Sequence, residues 1–164
     1  MNKSRVAILR TNPNDVLDDY QKLCELAGLK EALAPSATTI LKDNISWHLL
    51  YPGSNTTPWQ LEGTIQALLN AGFNDIVDVH NKTVVTIADL GDKFNKFAPV
   101  LEKYKIEKKY NFKEEDMKWV KYQPKAKMAV LNHIYPDGIY IPDYFMGKNI
   151  IHLPTVKTHS YTVT

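Results

Sequence analysis

Thr57-Pro58-Trp59-Gln60 marks the start of a helix more firmly than any other stretch of the chain, and the segments on either side of it restrict the fold to a few arrangements. Thr57 is of the type that caps a helix, Pro58 suits the first turn, and Gln60 stands where its side chain can return a bond to the cap residue's N–H. Leu61, Ile65 and Leu68 recur at helical spacing with Leu69 beside them. Gly72 stops the run, and Phe73 can pack back across its end. Residues 39–45 before this helix and 75–79 after it read as strands. Strand, helix, strand with short connections is a βαβ unit, whose default is right-handed and parallel. The expected class is therefore α/β, a mostly parallel sheet flanked by helices, in one domain over residues 1–164.

The remaining segments fit around that unit. Arg5-Val6-Ala7-Ile8-Leu9-Arg10 is an apolar strand candidate, followed by Asn12 as a cap, Pro13 at the first helical position and Asp15 as capping-box acid. Val16, Tyr20, Leu23 and Ala27 repeat at helical spacing until Gly28, with Leu17 and Cys24 on the same stripe, so Cys24 reads as a small buried hydrophobe. Residues 29–38 suggest a short helix and turn, Val84-Val85-Thr86-Ile87 a β-prone stretch, and Asp92 the cap of a helix bearing Phe94, Phe97, Leu101 and Tyr104. Residues 116–122 and 129–133 look extended, and Tyr135-Pro136-Asp137-Gly138 is a turn before Ile139-Tyr140-Ile141. A β-hairpin or an extended insertion near residues 116–145 accounts for this pattern.

Composition narrows the partners. A net charge of +2 is too small to argue for nucleic acid, and acids break up the Lys- and Tyr-rich stretch 103–125. No run has the length of a membrane span, and the first residues do not read as a signal peptide, so a cytoplasmic location is the default. The single cysteine excludes an internal disulfide and a cysteine-ligated iron–sulfur cluster within this chain.

Chemistry is expected at the end of the last strand, Asn149-Ile150-Ile151-His152-Leu153, which runs into Pro154 and then Lys157-Thr158-His159. Lys157 and His159 are two apart and share a side of an extended segment, and open α/β sheets bind ligands outside the carboxyl ends of their strands. Lysine offers a positive anchor for phosphate or carboxylate; histidine offers a proton shuttle or a metal ligand. The alternative is a pair of solvated loop residues. If residues 41–45 lie beside 149–153, Lys42 and Asn44 reach the same crevice, and the helix N-terminus capped by Thr57 makes it an anion site. Asp78 and His80 share a face at another strand end, as a base with its orienting carboxylate or as a plain loop pair. His152 reads as a core or sheet-face histidine, and Asp89-Leu90-Gly91-Asp92 as a turn and cap.

Leu41-Lys42-Asp43-Asn44, Thr57-Pro58, Ala71-Gly72-Phe73 before residues 76–79, and Leu153-Pro154-Thr155-Val156-Lys157-Thr158-His159 follow one another in an order and spacing that resemble the N-terminal portion of the family catalogued as domain of unknown function 362. Asp43 stands where that family has proline, and Thr155 where it has the first lysine of its late motif. The resemblance implies an α/β architecture with a cleft site, distantly similar to the nickel-dependent lactate racemases. It further implies an enzyme domain holding a small anionic ligand or a metal, with redox or racemase-type chemistry. Lys157 would anchor the ligand, His159 would transfer a proton or bind metal, and Lys42, Asn44 and Thr57 would line the substrate site. The cofactor is left unspecified. Family members continue with further motifs about where this chain stops, so a downstream domain or a second chain is expected to complete the site. A non-catalytic domain binding a ligand or partner is the competing expectation.

Overall fold

The central strand of the sheet, β1 (Thr39–Asp43), is hydrogen-bonded in parallel on both sides. The structure, a computed structural model, describes residues 4–159. Before β1 come α1 (Val16–Ala27) and the short α2 (Leu29–Ala32); after it follow α3 (Pro58–Asn70), β2 (Ile76–His80), α4 (Ala88–Phe94), α5 (Phe97–Lys103) and β3 (Glu107–Tyr110). The chain then forms β4 (Trp119–Tyr122), α6 (Leu131–Ile134) and β5 (Ile139–Pro142), a 3-10 turn at Asp143–Phe145, and finally β6 (Asn149–Leu153). The four-stranded sheet has the order β3-β2-β1-β6, every pairing is parallel, and β4 and β5 form a separate antiparallel pair. The class is α/β, with the antiparallel pair inside residues 116–145, where a β-hairpin or extended insertion was expected.

Strand alternation gives the sheet two unlike faces. Leu41, Ile76 and Leu153 meet Leu61, Ile65 and Leu68 of α3 and Phe97, Val100 and Leu101 of α5 in the main core. The opposite face is smaller: Ile40, Val77 and Val79 pack on Met117, with Tyr144 and Phe145 against them. α3 forms for the local reasons anticipated. Thr57 Oγ1 accepts from the Gln60 N–H at 3.3 Å, and at the other end Gly72 takes φ +94° while the N–H of buried Phe73 returns to Leu68 O at 3.0 Å. The Gln60 side chain does not return to the cap; it donates to Pro154 O at 3.5 Å, tying α3 to the exit of β6. Asn149, at the start of β6, accepts from Ala34 N and donates to Ala34 O, both at 2.9 Å, so the edge strand is moored to the loop that feeds β1.

Several expectations are corrected. Residues 5–10 form no strand, and Val6 and Ile8 stand 80% and 90% exposed, because no strand edge lies beside them to complete a ladder. The turn at 13–15 keeps Pro13 out of α1 and puts Asp15, not Asn12, at the cap position; Asn12 instead holds the turn, accepting from Asn14 N at 3.0 Å and donating to Asp15 Oδ2 at 2.6 Å. Residues 84–87 form no strand, only a bend at 84–85, and Leu131–Ile134 is a helical turn where an extended segment was expected. Asp92 lies inside α4, not at a cap, and the helix stripe breaks at Lys96, which takes φ 63°. The charged stretch Glu107–Tyr110, for which no strand was expected, is edge strand β3. β6 is the other edge, so Ile150 and His152 are exposed rather than buried. Cys24 is only partly buried.

α1 lies against α3 at a point where Gly63 leaves no room: a Cβ there would stand 2.6 Å from Tyr20 Cβ. Gly63→Val is therefore expected to separate the two helices and to cost about 3 kcal/mol, the upper range for an overpacked contact. Gly53→Ala, with nothing within 4 Å of the new Cβ, should stay within about 0.5 kcal/mol of wild type. Urea unfolding of the two variants checks both values.

Candidate functional site at the carboxyl edge of the sheet

Two arrangements meet at the carboxyl ends of the parallel strands. The first is the crevice between β1 and β6, whose register runs from Thr39↔Asn149 to Asp43↔Leu153. From β1 the chain proceeds through β2 to β3 on one side, and the return to β6 places that strand on β1's other side, making a topological switch point. The surrounding loops are stitched together. Asn44 N–H donates to Thr56 Oγ1 at 2.7 Å and Thr56 N–H returns to Asn44 O at 2.8 Å; Thr56 Oγ1 also donates to Leu153 O, and Thr155 Oγ1 donates to Asn55 O at 2.9 Å. Fully buried Asn55 accepts from Ser46 N at 2.8 Å, and its amide reaches Trp47 O and Leu49 O at 2.9 Å each and Asn95 Oδ1 at 2.8 Å.

Sequence-derived site residues fall around this crevice with differing local duties. Lys42 and Asn44 leave β1 there; Lys42 Nζ donates to Asp43 O at 3.1 Å, and the Asn44 amide is engaged with Ser46 Oγ and Ser54 O at 3.1 and 2.7 Å. Thr57 caps α3 beside them. Lys157, half-buried, and His159, exposed, follow β6 without regular secondary structure. His152 lies on the exposed face of the edge strand and His133 on the surface at α6, so neither joins the crevice.

The second arrangement was only half visible in the sequence. The β1–β2 register pairs Leu41 with Asp78, so two residues further on Asp43 and His80 stand side by side on the helix-covered face. Asp43, Asp78, His80 and Asp92 of α4 are all buried. His80 Nε2 lies 2.7 Å from Asp78 Oδ2 and 3.1 Å from Asp92 Oδ1, and Nδ1 lies 3.4 Å from Asp43 Oδ1. These contacts are close but lack the directionality of hydrogen bonds: both ring nitrogens, both oxygens of Asp43 and of Asp78, and Asp92 Oδ1 are buried without a hydrogen-bond partner. Lys108 of β3 reaches the other Asp92 oxygen at 2.8 Å, and Tyr110 donates to Asp89 at 2.9 Å.

Crowded carboxylates in a dry place set the protonation. Burial pushes Asp43 up to about 7, helped by the neighbouring Asp78 charge and opposed by His80. Burial works against a charged His80, but Asp78 and Asp43 outweigh it and lift the imidazole to about 9. Burial also raises Asp92, against the pull of His80 and Lys108. Asp78 and His80 were legible as a pair two apart at a strand end; Asp43 and Asp92 were not, since only the strand register and the helix break place them there.

The sign of the pH dependence follows. The folded state holds the His80 proton more tightly than the unfolded chain, so that contribution is complete below about 6.5 and is lost as the pH rises through about 9. Asp43 adds a loss in the same direction as the pH rises through about 7. In chelator-containing buffer the melting temperature should fall from pH 6.5 to 9, and His80→Gln should flatten the upper part of that slope. Thermal unfolding across the range checks it.

Comparison with known proteins gives no match to a family model, to a curated protein or to a solved structure.

Proposed function

We propose that this chain is the ligand-binding domain of an enzyme and takes a small anionic molecule in the crevice between β1 and β6. The supporting observation is the switch point itself: two parallel strand ends, β1 bearing Lys42 near its end and β6 followed by Lys157, converge beside the N-terminus of the thirteen-residue helix α3. In this reading Lys157 anchors the anion, the first-turn N–H groups of α3 and Asn44 orient it, Lys42 adds positive charge, and His159 transfers a proton. Redox or racemase-type chemistry on a small carboxylate in the cytoplasm, the class implied by the resemblance to family 362, is the matching activity. A further segment or a second chain would complete the site.

One observation favours a second reading, a non-catalytic partner-binding surface. Trp47, Leu49, Leu50, Tyr51, Val84 and Val85 are exposed at the same edge, and His48 Nδ1 lies 3.3 Å from Val85 O, so the two loops form one apolar surface. Described helices include none long and apolar enough to cross a membrane.

Calorimetric titration with inorganic phosphate, lactate and malate decides between the two. Saturable binding of at least one anion is expected in wild type, weakened about tenfold or more in Lys157→Ala. The variant's stability should change by less than about 1 kcal/mol, as for a group outside the packed core. Absence of saturable binding for all three, or equal binding by Lys157→Ala, removes the anion-site reading and leaves the apolar surface as the better account.

A further inference from the structure

The carboxylate–imidazole cluster beneath the crevice is independent of the anion site and makes a different demand. Asp43 and Asp78 are 4% and 0% exposed, yet no oxygen of either carboxylate has a hydrogen-bond donor. Folded chains do not leave buried carboxylates undonated without a compensating partner. We propose that Asp43, Asp78 and His80 supply three ligands to a divalent first-row transition metal ion, of the zinc or manganese type, at a buried centre joining β1 to β2.

Geometry is the first support. One ligand atom from each of the three residues lies within 4.8 Å of the others, near enough for one ion with bonds of about 2.1 Å to draw all three together after small side-chain adjustment. The imidazole lone pair lies along the direction an N–H would take. The contacts of 2.7 and 3.1 Å from Nε2 fall off that axis, so neither carboxylate takes up this ring nitrogen as a hydrogen-bond partner. Adjacent ligands of such an ion are about 3.0 Å apart, so the 2.7 Å between Nε2 and Asp78 Oδ2 suits two groups sharing a cation.

Charge is the second. Lys108 holds Asp92 from its far side at 2.8 Å and leaves Asp92 Oδ1 turned toward His80, while Lys42, bonded to the Asp43 main-chain oxygen, acts on the Asp43 carboxylate only through its charge. A divalent cation displaces the protons that His80 and Asp43 hold in the metal-free cluster and takes over the balancing of the carboxylates, while Asp92 orients the ligand set from outside. Ligand type selects the ion: imidazole with carboxylates suits zinc, manganese or iron(II), whereas calcium and magnesium favour oxygen alone.

The test strips the purified protein with chelator, then titrates Zn2+, Mn2+, Mg2+ and Ca2+ separately, following binding by equilibrium dialysis with elemental analysis and stability by thermal unfolding. One zinc or manganese ion per chain is expected, with a rise in melting temperature and at least tenfold weaker binding of magnesium and calcium. Asp43→Asn and Asp78→Asn should each weaken binding about 100-fold, while His133→Ala and His159→Ala retain it. Cobalt(II) loaded into the wild-type protein should show d–d absorption without thiolate charge-transfer bands, a readout that stands even where a variant does not fold. Failure of wild type to bind any ion stoichiometrically overturns the proposal. So does retention of full affinity in both asparagine variants, or loss of the ion in His159→Ala.

Discussion

β1 is the constraint on which the other features depend. It is short, yet it pairs in parallel with β2 and β6 at once, and its alternation sends Thr39, Leu41 and Asp43 to one face and Ile40 and Lys42 to the other. Leu41 thereby joins the core beneath α3, and the next residue on that face, Asp43, is carried into the same dry layer. A strand that ended one residue earlier would leave this carboxylate in a loop, where water could solvate it. The buried cluster is thus a consequence of strand length and register as much as of residue choice.

That register also explains why the cluster draws on several elements. β2 supplies Asp78 and His80 on the same face, α4 lowers Asp92 onto them, and β3 brings Lys108 from the sheet's edge. α4 is held close because Gly91 sits against Ile45, where a Cβ would come within 2.9 Å of Ile45 Cγ2. Buried charges of one sign are tolerated only when balanced nearby. The short distance from Lys108 to Asp92 and the high affinity of His80 for its proton are both responses to that requirement.

Legibility in the sequence tracked how local each determinant was. Thr57-Pro58, Gly72 and the apolar runs at 39–45, 75–79 and 149–153 carry their own instructions through capping, φ freedom and β propensity, and α3, β1, β2 and β6 appear where these are. Glu107-Lys108-Lys109-Tyr110 shows no such pattern. It is a strand because β2 offers it a partner, with its charged side chains toward solvent or toward Asp92. Arg5–Arg10 has the pattern and lacks the partner, so it stays unpaired. The crevice was readable because strand ends and a helix cap are local features. Asp43 and Asp92 were not, because their meeting with His80 is set by pairing across the sheet and by a helix break at Lys96.

The two arrangements at the carboxyl edge are close enough in the chain to influence one another. Asp43 points into the helix-covered layer, while Asn44 opens the loop that lines the crevice, so one strand end serves both. A second link runs through side chains. Asn55 organises the loop carrying Trp47 and Leu49, its amide meets Asn95 Oδ1, and Asn95 donates to Gly91 O at 3.0 Å on the helix that bears Asp92. Any force that moves the 46–56 loop is therefore transmitted to α4, and through Asp92 to His80. Because every member of this relay is buried and hydrogen-bonded up to Asp92, whose contact with His80 is electrostatic, the relay is stiff along most of its length and adjustable only at the cluster itself.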